Sequence, residues 1–315
     1  MASDTEHREK TVVLNPVSGS GDHVDALRKR ALLDGYDLVK TEEAGDAVDL
    51  ARDTVESGST LIAAAGGDGT LNEVVRGVVA ADGLDRVTVG VIPVGTGNNF
   101  AGNIGVTGID EAFDVLKNGD RRRIDLGVAD GRYFVNSCIS GLTADVSGET
   151  TPELKNRFGV VAYVINTFQT VSDFDGLRLS VDIWGEAGRE LAWSGSAICV
   201  LVGNGRRFSL HGNSQADMED ELFDVTIVED APTSDLVGEA LLERLIGSEA
   251  THTIRLHAPS LELAGLEADP ISFSLDGEIV ETRQLSLEVR EGVLSVAVGD
   301  GYEPDPDHAE PSSET

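Results

Sequence analysis

Gly66-Gly67-Asp68-Gly69-Thr70-Leu71-Asn72-Glu73 joins an apolar run, Leu61-Ile62-Ala63-Ala64-Ala65, to a segment with Leu71, Val74, Val75, Val78 and Val79 at helical spacing. Glycines let a backbone approach phosphate oxygens, Thr70 can cap the helix, and a helix N-terminus offers N–H groups and positive dipole to an anion. Asp68 beside phosphates calls for a cation to ligate or a proton to handle. Read alone, the same spacing is also that of a tight strand-to-helix turn with Asp68 in solvent. Two further turns repeat the chemistry. Pro93-Val94-Gly95-Thr96-Gly97-Asn98-Asn99-Phe100-Ala101 ends the next apolar run, and Asn15-Pro16-Val17-Ser18-Gly19-Ser20-Gly21 ends the first. Together they form one composite nucleotide pocket, with Asn15, Pro16, Ser18, Gly66, Gly67, Gly69, Thr70, Glu73, Gly95, Thr96 and Asn98 as the candidate binding residues.

Other chemistries lack their residues. There is no GxxxxGK[ST], no GxGxxG after the first strand and no HRD or DFG pair. The six His are scattered without metal-ligand spacing, and Cys138 and Cys199 form neither a CxxC pair nor a disulfide scaffold, as expected of a reducing cytoplasm. The balance of 24 basic against 56 acidic residues, net −32, makes nucleic acid a poor partner. Only 5 of the basic residues are Lys. A salt-rich cytoplasm explains such a composition, because a Debye length of ~3 Å at ~1 M salt removes most surface repulsion. No run of about 18 apolar residues suits a membrane span.

The elements that must position these turns follow from the pattern. The runs TVVLNP, YDLVKT, STLIAAAG and TVGVIPVGT alternate with amphipathic segments, which implies a Rossmann-like α/β domain with a parallel sheet and each Gly-rich turn at a strand's carboxyl end. After a helical segment over 109–117 the grammar changes. RRRIDLGVADGRYFVN reads as a hairpin about Asp130-Gly131. Arg121-Arg122-Arg123 before it reads as a solvated or ion-paired edge, with lipid headgroups as the alternative. Helices are expected over 153–171 and 234–245. The strands LRLSVDIW, LAWSGSAICVLVG, LFDVTIVED, HTIRLHA, ISFSLDGEIV and QLSLEVREGVLSVAVG make the second half an antiparallel β-sandwich. The expected division is a flexible 1–10, an α/β domain over 11–130, a β-sandwich domain over 131–299, and an acidic tail over 300–315. That tail has six acids, three prolines and no Lys or Arg, and disorder is expected there.

GGDGTLNE, VIPVGTGNNFA and the NPVSGSG opening resemble the diacylglycerol kinase catalytic superfamily, which includes bacterial-type diacylglycerol kinases and sphingosine kinases. IDLG at 124–127, Lys155…Gly159…Tyr163, the segment from Ala216 to Asp224, and Leu275-Asp276-Gly277-Glu278 fall in the same order, so the likeness spans about residues 11–298. The resemblance implies a Mg²⁺-dependent kinase moving the γ-phosphoryl group of ATP to a lipid or long-chain alcohol hydroxyl, with ATP between the domains and GGDGT at its phosphates. It implies Asp276 as the base, with Asp68 as the competing candidate, and Asp220 and Asp68 in the magnesium network. By spacing alone, Asp276-Gly277 is an ordinary hairpin turn. The implied partner is a lipid acceptor at the inner membrane face, met by peripheral contact, and a homodimer is left open. Two positions depart from the pattern. Asn99 replaces an acid, and Glu219-Asp220-Glu221 replaces the Asp-Asp-Gly of the metal loop, with Glu221 at a turn position that suits glycine. An NAD kinase, sharing GGDGT, and a non-catalytic nucleotide-binding protein, suggested by Asn99, are the competing functions.

Overall fold

The computed structural model describes residues 9–19, 21, 23–141, 176–185, 188–208, 215–230 and 252–306. The helices expected over 153–171 and 234–245 lie outside these residues, as do Lys155, Gly159 and Tyr163. The chain divides into two compact units, residues 1–126 with 291–315, and residues 127–290.

The first unit is built on parallel strands β1 (Lys10–Leu14), β2 (Asp37–Lys40), β3 (Leu61–Gly66) and β4 (Thr88–Pro93), in the order β2-β1-β3-β4. β3 is buried at all six positions, as an interior strand covered on both faces requires, which is why it is a run of small and aliphatic residues without alternation. Helices α1 (Val24–Leu33), α2 (Asp46–Glu56), α3 (Asp68–Ala80), α4 (Asn99–Asn103) and α5 (Ile109–Asn118) fill the connections. Gly77 lets α2 and α3 approach closely, since a Cβ there would stand 2.3 Å from the Val48 carbonyl oxygen. α5 buries Ala112, Phe113 and Leu116. Its last carbonyls receive the Arg121 guanidinium, which donates to Leu116 O and Gly119 O at 2.6 Å each. Arg123 donates to Gly292 O at 2.6 Å and pairs with Asp85, so Arg121 and Arg123 both have structural partners. β1 lies between β2 and β3, so the strand order reverses there. The carboxyl ends of β1 and β3 flank the crevice that open α/β sheets use for ligands.

The second unit is antiparallel. Strand β5 (Asp120–Ala129) carries the chain into it and pairs with β6 (Arg132–Phe134) through the Asp130-Gly131 turn, whose φ values of 46° and 81° are both left-handed. The remaining strands are β7 (Ser137–Gly141), β8 (Leu177–Gly185), β9 (Gly188–Gly203), β10 (Phe223–Glu229), β11 (Thr253–Ala258), β12 (Ser260–Gly265), β13 (Ile271–Leu275), β14 (Glu278–Thr282) and β15 (Gln284–Val298). They run β14-β13-β7-β9-β8-β12-β15, with β10 between β9 and β11. β9 pairs along its first part with β8 and along its second with β7 and β10. Leu179, Val181, Phe223, Leu261, Phe273 and Leu287 are among the core residues, and Phe134 stacks on Phe223 with ring centroids 5.8 Å apart.

The α/β and antiparallel β classes agree with the sequence pattern. The differences lie at the ends and in two short strands. β15 begins in the second unit, yet its final residues belong to the first, where Ser295 and Val296 pair in parallel with Thr88 and Val89 of β4. A single 15-residue strand cannot show by pattern that it serves two units. The described part of the tail is anchored, with Tyr302 only 8% exposed and its N–H donating to Gly299 O. β7 and β12 are absent from the strands read by pattern. β7 is a short Ser/Cys/Gly-rich run, and β12 follows Pro259 with only two alternations.

Candidate functional site

Three loops of the first unit converge because glycines allow it. Gly66 O accepts the N–H groups of both Val94 and Gly95, joining the ends of β3 and β4. A Cβ on Gly95 would stand 2.5 Å from Gly67 Cα, and one on Gly19 would stand 2.3 Å from Val94 O, so neither backbone pair could meet with side chains present. Asn15 continues β1 by donating its N–H to Ala65 O, folds its own loop by accepting Val17 N–H at Oδ1, and donates from Nδ2 to Thr70 Oγ1 at 3.2 Å.

A pocket of about 340 Å³ opens here, lined by residues 15–18, residues 41–44, and Gly67, Gly69, Thr70 and Glu73. At its floor α3 begins with Gly67 as N-cap, without a side-chain cap. The first helical bond is Leu71 N–H to Gly67 O, and no group among the described residues accepts from the N–H of Asp68, Gly69 or Thr70. Three unpaired donors with the helix dipole behind them fit the oxygens of a phosphate chain. Thr70, expected as a cap, is instead buried in the helix, its hydroxyl taken by Asn15. The lining holds Glu42, Glu43 and Glu73 and no Lys or Arg, so a bound polyphosphate brings its own cation.

Residues 41–44 were not reached by sequence reasoning, because the β2–α2 loop has no run of glycines or hydroxyls to mark it. Two carboxylates shape it. Asp46 Oδ2 accepts the N–H groups of Glu42 and Glu43 at 2.7 and 2.8 Å, and these bonds, Glu43 first, hold its carboxyl below the ordinary range. Glu73 Oε1 accepts Gly45 N–H at 3.1 Å, where Gly45 takes φ 92°. Of the other expected residues, Gly66 and Gly95 act through their backbones below the pocket. Asn98 closes its own loop, Oδ1 accepting Gly95 N–H at 3.0 Å and Nδ2 donating to Gly95 O at 2.9 Å. Thr96 is exposed and makes no hydrogen bond with the other described residues.

Asp68 turns toward the neighbouring loop. Its Oδ2 accepts the backbone N–H and the side-chain Nδ2 of Asn99, at 3.1 and 3.0 Å, and its Oδ1 accepts Phe100 N–H at 3.0 Å. Among the described residues, no group of three or more His, Cys, Asp or Glu is placed to hold a metal. This donor set fits magnesium as an ion carried on phosphates and completed by water and one or two carboxylates, not as one held in a protein cage.

The remaining candidates are in the second unit. Asp276 takes φ 48° and Gly277 φ 99° in the two-residue turn between β13 and β14. The Asp276 carboxylate folds back to accept three successive backbone N–H groups, Val135 at 2.6 Å, Asn136 at 3.0 Å and Ser137 at 2.8 Å. Buried Asn136 leaves its Oδ1 without a hydrogen-bond partner next to this cluster. Asp220 Oδ1 accepts Leu222 N–H at 2.9 Å, and Glu221 takes φ 65°, so the left-handed turn forms although the residue is not glycine. Neither cysteine offers a thiolate. Burial, and then the charge of Asp276, push the Cys138 thiol up, and burial pushes Cys199 up to about 12.

A Gly-rich turn that opens a helix N-terminus onto a pocket at a sheet's switch point is the arrangement that receives phosphate groups, here on a chain with an antiparallel second unit. Residues 9–129 match the diacylglycerol kinase catalytic domain, and residues 136–298 match the YegS C-terminal NAD kinase beta sandwich-like domain. The chain therefore belongs to the diacylglycerol kinase catalytic family and is a diacylglycerol kinase-like lipid kinase. It is 32% identical over 266 residues to a Pseudomonas aeruginosa protein named "Probable lipid kinase YegS-like", covering 81% of this chain and 82% of that one. It is 31% identical over 282 residues to a Staphylococcus epidermidis protein named "Diacylglycerol kinase", covering 85% and 84%. The fold resembles the crystal structure of a Bacillus anthracis diacylglycerol kinase, with a TM-score of 0.69 at 21% identity over 94% of this chain and 98% of that one.

Proposed function

We propose that this chain transfers the γ-phosphoryl group of ATP, carried with Mg²⁺, to a hydroxyl of a diacylglycerol-like lipid or long-chain alcohol. The observation that carries the ATP site is the open N-terminus of α3, three N–H groups without acceptors among the described residues, at the floor of a pocket large enough for a nucleotide's phosphates and ribose. Magnesium supplies neutralising charge on the phosphates. The chain's own part is to align them: Asn15 and Thr70 hold the first and second loops together, and Asp46 and Glu73 fix the loop that forms the pocket's far wall.

Asp276 is the proposed proton acceptor for the lipid hydroxyl. Three N–H donors hold its carboxylate in one orientation. The loose transition state of phosphoryl transfer asks chiefly for placement of the acceptor hydroxyl, which a fixed carboxylate provides. A lipid acceptor implies work at a membrane surface, reached peripherally. No helix among the described residues is long and apolar enough to cross a membrane.

The match of the second unit to an NAD kinase-like sandwich keeps one other acceptor in view, the ribose hydroxyl of NAD. The test offers ATP labelled in its γ-phosphate to the purified chain with diacylglycerol, a long-chain alcohol or NAD as acceptor. Label in a lipid phosphate is the expected result. Label in NADP would replace the lipid reading, and ATP binding without transfer to any acceptor would leave a nucleotide-binding protein.

A further inference from the structure

Asp68 and Asn99 are 31 residues apart in sequence, yet one carboxylate oxygen of the first takes two hydrogen bonds from the second. The geometry is that of a helix cap supplied from outside. α4 begins at Asn99, its N-cap Asn98 makes no side-chain cap bond, and the N–H groups of Asn99 and Phe100 are received by Asp68 from the first turn of α3. The Asn99 amide completes the arrangement by using both its hydrogens, one on Asp68 Oδ2 and the other on Gly97 O at 2.9 Å. A carboxylate in the place of that amide would have no hydrogen to give. It would set a second negative charge against Asp68 and a carbonyl oxygen, a repulsion that a cation between them would offset.

We propose that Asp68 is a positioning residue, and that Asn99 makes its hold on the 95–100 loop independent of metal. Asp68 acts through the loop. It draws Gly95 against Gly67, and Gly67 lines the phosphate pocket. Three of the carboxylate's acceptor positions are already used, so its engagement with the loop competes with ligation of a metal. The part of this proposal that concerns ATP rests on the reading of that pocket as the nucleotide site.

The test has two arms. In the first, wild type, Asn99→Asp and Asn99→Ala are melted without nucleotide, in EDTA and then in MgCl₂, at about 2 M KCl so that general screening is already saturated. Asn99→Asp is expected to melt about 3 °C below wild type in EDTA and to recover with magnesium. Asn99→Ala should melt lower in both, and wild type should not respond to magnesium. A wild-type midpoint that rises with magnesium as much as that of Asn99→Asp would overturn the metal-free hold, as would an Asn99→Asp that matches wild type in EDTA. In the second arm, Asp68→Asn and Asn99→Ala should raise KM for ATP about tenfold, the scale of one lost charge-assisted hydrogen bond, while the acid limb of the kcat–pH profile stays in place. Loss of that limb in Asp68→Asn with KM unchanged would make Asp68 the base. The melting arm uses no nucleotide, so failure of the ATP reading leaves its result intact.

Discussion

Gly69 and Gly95 both come from glycine-rich loops, but the structure gives them opposite tasks. A Cβ on Gly95 would collide with the Gly67 backbone, so that glycine is required for the loops to meet, whereas a Cβ on Gly69 would meet nothing within 4 Å. Gly69 also lies in the first turn of α3 and lines the pocket. Gly69→Ala should therefore leave the melting temperature unchanged or raise stability by up to about 1 kcal/mol, since alanine favours the helix. The methyl should at the same time weaken ATP binding by about tenfold by standing where a phosphate must approach. Calorimetric titration beside a melting curve reads both, and unchanged affinity would move the phosphates away from this turn. For Asp276 the prediction concerns rate. Asp276→Asn should lower kcat by about 10²–10⁴-fold with ATP affinity retained, as loss of a general base does. Single-turnover phosphorylation of the lipid would show it, and normal turnover would remove Asp276 from that role.

The β2–α2 loop shows what an element does beyond its residues. Asp46, in the first turn of α2, receives two N–H groups of the loop, and those bonds lower its carboxyl from the ordinary value of 3.8. A carboxyl lowered on folding stabilises the protein above its unfolded value, and that contribution is lost as pH falls through the folded one. Asp46→Asn should accordingly be less stable than wild type at pH 7, with the difference shrinking below pH about 4 and gone in strong acid. Urea unfolding across that range measures it, and a difference that does not change with pH would assign the loop's order to other contacts. This loop also marks the limit of what was legible from sequence. The turns at 15–21, 66–70 and 93–101 announce themselves because close backbone approach demands Gly, Asn and Thr. Residues 41–44 line the same pocket with Thr-Glu-Glu-Ala, which any solvated turn could carry. The Asp68–Asn99 bonds were invisible for another reason: they join elements 31 residues apart, and only the packing of β3 beside β4 brings them together. The parallel and antiparallel classes followed from periodicity, but the passage of β15 from one unit into the other did not, because one unbroken strand has one period.

The whole molecule carries a net charge of −32, and the ion pairs among the described residues include exposed ones, such as Arg52 with Asp49 and Arg178 with Glu267. Exposed pairs contribute little, so uncompensated repulsion among carboxylates must be reduced by counterions. Thermal stability should fall as KCl is lowered from about 2 M to 0.1 M, over which the Debye length grows to ~10 Å. A flat or inverted dependence would show the acids to be paired by something other than salt. The same surplus of charge bears on the pocket, whose carboxylate lining repels a bare polyphosphate and leaves the backbone of α3 as its receptor. Hydrogen exchange of residues 67–71 with and without Mg²⁺·ATP reads that contact directly. The N–H groups of Asp68, Gly69 and Thr70 have no acceptor among the described residues, so ready exchange is expected in the free protein, strong protection by Mg²⁺·ATP and almost none by adenosine. Tight binding of Mg²⁺·ATP that leaves these three amides unprotected would contradict it.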